Sequence, residues 1–399
     1  MTHQLLRTGL ALCAVLAVSS FGLTKHAVVL VMDGARYTET MGDPSHANVP
    51  KIAALASQGV VLSAFVTART GSVAESWTET CPGHARITTG TYQNIANDGT
   101  VLPTQPSMFQ QYRQQQARPA SSGWVICSKD KLFILANTSA SAWNGQYQPS
   151  MNCGVNGNGS GGYREDNLTH DIVKQRLVAD RPALLLINYK GPDAMGHANN
   201  WSGYLAAIRQ VDGYAEDLWN TIQADDSLKN TTALFIVNDH GRHAADFTSH
   251  GDNCVGCRSV MCVALGPDIK TDVTSATTRE QIDLAPTIAS MMGFSMPTSA
   301  GEVMSEIFKP TSIAHHGADG AWRPSLVATW SASSSRSLVL NNLPGDAVID
   351  ILTVSGAHLA RLTGGQSTVS WAAPLATQRV ICTVRSMSEP RLQVLIPTN

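Results

Sequence analysis

The chain has 399 residues, 43% of them hydrophobic, and a formal net charge of −2, which allows one large catalytic domain with a smaller companion and a sizeable core. Its lysines and arginines never form a run of five or more, so it lacks the electrostatic footprint of a nucleic-acid or anionic-membrane binder. Any charge preference has to be local.

Residues 1–22 open on "MTHQLLR" and continue through an apolar run to "SSFG", the basic, hydrophobic, small-residue order of a secretory signal peptide with cleavage expected near Ser20 or Gly22. The run is too short to span a bilayer, so the reading is an exported protein, periplasmic, cell-surface or secreted, with no transmembrane anchor after signal removal. Without Cys13, seven cysteines remain, at 81, 127, 153, 254, 257, 262 and 382, and an odd number leaves at least one free thiol. Cys254 and Cys257 form half a zinc knuckle, but no second CxxC or closely spaced histidine pair completes it, which points to a local disulfide or two plain thiols. Cys127 with Cys153 is a second candidate bridge.

Three apolar runs share one grammar: "HAVVLVMDG" at 26–34, "ALLLINYKGPD" at 183–193 and "TALFIVNDHG" at 232–241. Each lacks polar alternation, as a parallel strand buried on both faces does, and each leads to an aspartate. Helical patterns lie between them, "NVPKIAALASQG" with an early proline and a closing glycine, and "WSGYLAAIRQVDGYAEDLWNTIQ" with apolar residues at helical spacing. The alternation predicts an α/β fold, a mostly parallel sheet with helices on both faces, in which ligands gather at the carboxyl ends of the strands.

The segment "TCPGHARITTG", residues 80–90, predicts a helix whose first amides can hold an anion. Thr80 and Cys81 at its mouth compete as nucleophiles. After about residue 308 the texture changes: "KPTSIAHHGADGAWRP" reads as a linker over 309–324, and 325–399 shows period-two strands broken by PG, SG and GG turns, a small C-terminal β-sandwich. The catalytic domain is then expected over 25–308.

Asp33, Asp193, His197, Asp239, His240 and His250 supply three carboxylates and three imidazoles at the strand ends. Mixed Asp and His donors suit zinc or another borderline divalent ion better than an all-oxygen cation, and two ions with about three protein ligands each would use the set completely. Such a site performs in-line displacement at phosphorus.

The ordered set "VVLVMDG", "TETCPGHARITTG", "NYKGPDAMGH", "NDHGRH" and "SHGD" resembles the alkaline phosphatase superfamily over residues 26 to about 295, closest to its threonine-nucleophile branch of nucleotide pyrophosphatase/phosphodiesterases and related monoesterases. The resemblance implies an alkaline-phosphatase-like fold, Thr80 as nucleophile and metal ligand, one ion on Asp33, Asp239, His240 and Thr80, and the other on Asp193, His197 and His250. It implies zinc, with Mn2+ or Mg2+ as substitutes. "ICSKDKLFIL" resembles the element with which the monoesterases grip two phosphate oxygens, giving roles to Lys129 and Lys131, although a lysine where arginine is usual gives up the planar fork. "YQNIANDG" offers Asn97, ahead of Asn94, as the phosphoryl-oxygen donor.

The expected activity is phosphomonoester hydrolysis through a phosphothreonine on Thr80, with a small phosphate ester as partner and the C-terminal module as a surface or secretion contact. The alternative is a phosphodiesterase or nucleotide pyrophosphatase, which would need an apolar pocket for its second ester group. A sulfatase needs C-x-P-x-R, and here Pro82 comes one place early and Arg86 one late. A phosphoglycerate-mutase-like isomerase would want a serine nucleophile and a cytoplasmic chain. A non-catalytic surface protein would have lost ligands, and this chain keeps them all.

Overall fold

The computed structural model describes residues 23–309 and, beyond them, the strands of the C-terminal part. The expected signal segment, Cys13 and most of the linker lie outside the described residues. In chain order the elements are β1 His26–Met32, α1 Pro50–Ala56, β2 Gly59–Leu62, β3 Phe65–Val66, α2 Thr80–Thr89, α3 Met108–Gln115, β4 Gly123–Cys127, β5 Ser150–Cys153, α4 Asp166–Asp180 and β6 Leu184–Tyr189. There follow α5 Gly191–His197, α6 Trp201–Ala224, β7 Thr232–Val237, α7 Val255–Arg258, β8 Cys262–Leu265, β9 Val273–Ser275, β10 Arg279–Glu280 and α8 Leu284–Met292.

Eight strands form the central sheet in the order β5-β4-β6-β1-β7-β8-β2-β9. The three apolar runs become β6, β1 and β7, side by side and parallel, with Val28 opposite Leu185 on one flank and Leu234 on the other. Only β8 runs against its neighbours. Because successive side chains alternate faces, β1 divides its residues between two cores. Ala27, Val29 and Val31 pack with residues of α2, α3 and α8, and Val28, Leu30 and Met32 pack with residues of α1 and α6. Both faces of the strand are therefore dry, which is why its sequence shows no polar alternation.

Local chemistry sets the helix starts. Pro50 opens α1, Asn200 caps α6 by accepting from the Gly203 amide at 2.9 Å, and Ser107 closes a capping box with Gln110 on α3. The C-terminal strands form two four-stranded antiparallel sheets, Ser312–Ile313, Leu326–Val327, Arg336–Asn341 and Thr368–Ala373 in one, and His358–Thr363, Val348–Thr353, Arg379–Arg385 and Leu392–Pro397 in the other. This is the small all-β module expected from the period-two pattern. Cys127 and Cys153 face each other as partners across β4 and β5, and Cys81, Cys127, Cys153, Cys254, Cys257 and Cys262 are free thiols. No helix among the described residues is long and apolar enough to cross a membrane.

Candidate active site and metal centre

The carboxyl ends of β1, β4, β6 and β7 deliver Asp33, Lys129, Asn188 and Asp239 to one place, where α2 begins. Thr80 is the first residue of α2, after an extended Glu79 (φ −133°, ψ 165°). Gly83 permits the approach: a Cβ there would lie 2.5 Å from the Asp239 carbonyl oxygen, so any side chain would push the helix off the end of β7. His84, one turn along, is committed on both ring nitrogens, Nδ1 to the Thr80 carbonyl at 2.8 Å and Nε2 to Asn188 Nδ2 at 3.2 Å. Asn188 also donates to Asp33 Oδ2 at 2.7 Å. Helix mouth and first aspartate are thus tied through one amide.

Lys129 Nζ donates to Thr80 Oγ1 at 2.9 Å, to Asp33 Oδ1 at 2.9 Å and to Asp193 Oδ2 at 2.6 Å. The residue is 1% exposed. Burial alone would push the ammonium down, but Asp193 and Asp33 overcome it and hold its pKa above the ordinary lysine value. Burial likewise works against the charged form of Asp193, and Lys129 with His197 and His250 reverses this, keeping its carboxyl well below the usual range. The pair stays ionised. Lys131 reaches less far in: its ammonium donates to the Asn97 carbonyl at 2.9 Å and to Asn97 Oδ1 at 3.0 Å, and that Oδ1 also accepts the Cys81 amide at 2.9 Å. A cavity of about 400 Å3 opens beside it, lined by Asp98, Lys131, Phe133 and Asn137 among others.

The expected ligands gather in overlapping groups: Asp193 with His197 and His250, Asp33 with Asp193 and His240, and Asp33 with Asp239, the last joined by His84, which was not expected as a ligand and whose ring nitrogens are already engaged, each group within 4.8 Å. His240 Nδ1 faces the Gly241 carbonyl at 2.8 Å and His250 Nδ1 the Thr78 carbonyl at 2.9 Å. Donation from Nδ1 leaves Nε2 as a lone pair in both. His240 Nε2 then looks at Asp33 Oδ1 at 3.6 Å and Asp239 Oδ2 at 3.5 Å, and neither His240 Nε2 nor Asp239 Oδ2 has a hydrogen-bond partner although both are buried. Burial pushes the His240 imidazole down to about 3, so the ring is neutral, the form that ligates. Acceptor facing acceptor in a dry site is unfavourable without a cation between them. The donor set fits divalent metal.

Asp193 differs from the simple strand-end picture. It lies on α5, the short helix one turn beyond β6, where its spacing to His197 puts both on one face, 3.3 Å apart. Two residues that sequence reasoning missed hold it there. Asp166 accepts the Lys190 and Gly191 amides at 2.9 and 2.8 Å, fixing the turn from β6 into α5. Arg242 is fully buried and clasps Asp193 Oδ1 with one guanidinium nitrogen while bonding the Phe247 and Thr248 carbonyls with the others. "NDHGRH" contained that arginine, but nothing in its spacing marked it as the partner of an aspartate 49 positions earlier.

Two residues of the sulfatase comparison fall outside the chemistry. Cys81 is 0% exposed, and burial raises its thiol to about 11, away from the reactive thiolate. Arg86 donates to Gln281 Oε1 and the Trp77 carbonyl, both at 2.9 Å, and Gln281 in turn holds the Asn238 and Asp239 carbonyls. It is a strut beneath the Asp239 turn.

This sheet, with the helix mouth and the Asp and His donors at the carboxyl ends of its strands, has an alkaline-phosphatase-like fold. The chain belongs to the type I phosphodiesterase/nucleotide pyrophosphatase family, whose model matches residues 27–258. Among solved structures it is similar in fold to the alkaline phosphatase PafA (TM-score 0.53, 12% identity, 72% of this chain and 99% of that one). It is similar too to murine ectonucleotide pyrophosphatase/phosphodiesterase 5 (TM-score 0.52, 13% identity, 71% and 100%), of which an inactive threonine-to-alanine form is known in complex with AMP. Among curated proteins it is 32% identical over 143 residues to the 2,3-bisphosphoglycerate-independent phosphoglycerate mutase of Natronomonas pharaonis, 34% of this chain and 26% of that one. The match spans about a quarter of that relative's length.

Proposed function

We propose that this protein is an exported phosphomonoesterase that works through a phosphothreonine on Thr80, with zinc as its metal. The observation that carries the reading is the position of the Thr80 hydroxyl: at the first turn of α2, 2.9 Å from a buried ammonium that also bridges two aspartates of the ligand groups. Thr80 Oγ1 attacks phosphorus, the alcohol leaves on the opposite side, and water then displaces Thr80 in a second in-line step that restores the hydroxyl. Asp33, Asp239 and His240 would hold one divalent ion and Asp193, His197 and His250 the other, and the bound ions would supply Lewis acidity for the displacement. Lys129 steadies the threonine oxygen and fixes a positive charge beside it. Asn97, anchored through Oδ1, keeps its amide nitrogen for a phosphoryl oxygen, and Lys131 beside it adds charge at the rim.

Charge favours the monoester. Lys129 and Arg242 already offset two of the three ligand aspartates, so two divalent ions leave the pocket with an excess of positive charge that rewards a dianion over a monoanion. The phosphodiesterase reading draws its support from the family to which the chain belongs; the mutase reading draws on partial matches alone. The C-terminal module, in the same proposal, makes a surface or secretion contact.

Dialysis against a strong chelator tests the metal requirement. Activity on an aryl phosphate should disappear and return with Zn2+, and the thermal midpoint should fall on stripping, because an ion bound only by the folded chain stabilises it by mass action. Full activity after the catalytic ions are gone would contradict the reading.

A further inference from the structure

The loop that returns from Asp239 toward β8 carries a second polar cluster, outside the catalytic pocket. His243, Asp252, Cys254 and Cys257 each bring a ligand atom to within 4.8 Å of the others. His243 Nε2 is buried without a hydrogen-bond partner, 3.2 Å from Asp252 Oδ2. Cys254 and Cys257 are free thiols, and Cys254 Sγ accepts the Cys257 amide at 3.3 Å. Sequence spacing gave only the Cys-x-x-Cys half; the fold supplies the rest, because the loop doubles back on itself.

Backbone bonds hold that doubling in register. The Gly241 and Arg242 amides donate to the Cys257 and Gly256 carbonyls at 2.8 and 3.1 Å, and the His243 amide donates to the Ser249 carbonyl at 3.0 Å. A Cβ on Gly241 would lie 2.0 Å from the Gly256 carbonyl oxygen, so the two arms touch through glycine alone. The Asp252 carbonyl accepts from Thr78 Oγ1 at 2.7 Å, tying the cluster to the segment before α2. The four side chains therefore converge from two fixed arms.

Two thiols, an imidazole and a carboxylate make a soft four-donor set that tetrahedral zinc accepts and that calcium or magnesium does not. With all four positions filled by protein, the site is structural. We propose that His243, Asp252, Cys254 and Cys257 hold a zinc ion that clamps the base of the loop carrying His240 and His250. The thiols lose their protons to solvent as the metal–sulfur bonds form. Cys254 is partly exposed and Asp252 exposed, which leaves the ion a way in.

The test uses the full chain, stripped with chelator under reducing conditions and titrated with Co2+. The expected result is a sulfur-to-cobalt charge-transfer band, which the Asp and His ligands of the catalytic site cannot produce. Differential alkylation of the same zinc-loaded protein should show Cys254 and Cys257 protected, and labelled once the metal is removed. The Cys254→Ala/Cys257→Ala variant should lose the band and bind one ion fewer per chain. A missing band, equal labelling with and without zinc, or a Cys254–Cys257 disulfide in the protein as isolated would overturn the proposal. The first two readings need no variant, and since they report on sulfur alone, their failure would leave the phosphatase reading standing.

Discussion

Replacing Thr80 with alanine is expected to lower turnover of a phosphate ester by about a thousand-fold or more, since no other hydroxyl stands in its place and the covalent step is lost with it. The metal content of Thr80→Ala should stay near that of the parent chain, because Asp33, Asp193, His197, Asp239, His240 and His250 remain. Cys81→Ala is the control. Its thiol is buried and raised to about 11, so the change is one of packing and should leave turnover within about tenfold. Steady-state rates with parallel metal analysis check both. The opposite ranking would revive the sulfatase reading, in which Cys81 is the residue that matters.

The second large effect belongs to Lys129. A terminal phosphate carries one more negative charge than a diester, and only a nearby cation distinguishes them. Lys129 Nζ lies 2.9 Å from Thr80 Oγ1 in a desolvated site, where a fixed positive charge is worth about 2 to 4 kcal/mol toward the monoester transition state and much less toward the diester. In Lys129→Ala the monoester-to-diester ratio of kcat/KM should therefore fall by roughly ten-fold or more. Metal content should not fall, because removing an ammonium from among Asp33 and Asp193 makes the pocket more attractive to cations. Lys131, hydrogen-bonded to Asn97 at the rim, should give a smaller change in the same direction. Equal losses on both substrates would mean that Lys129 supports ionisation or folding rather than selection.

Much of this architecture was legible because burial on both faces leaves a plain signature. The three apolar runs became the adjacent strands β6, β1 and β7, and two of their aspartates stand at or just past the strand ends. Thr80 opens α2 where proline and glycine placed the start of a helix. What stayed hidden depends on contacts between distant segments. Arg242 pairs with Asp193 across 49 residues, and His84 and Asn188 orient the helix mouth through hydrogen bonds that have no sequence period. The reversed strand β8 has the same apolar texture as its parallel neighbours, so direction could not be read from composition. Cys254 and Cys257 looked incomplete because His243 and Asp252 reach them only through a folded loop.

The most direct test of the account is the relative kcat/KM of the purified protein on an aryl phosphate monoester, the matching diester and the matching aryl sulfate, with and without chelator. The monoester should react fastest, the diester more slowly and the sulfate slowest, with all three rates abolished by metal removal. A diester faster than the monoester, or a rate on any of them that survives loss of the catalytic ions, would contradict it.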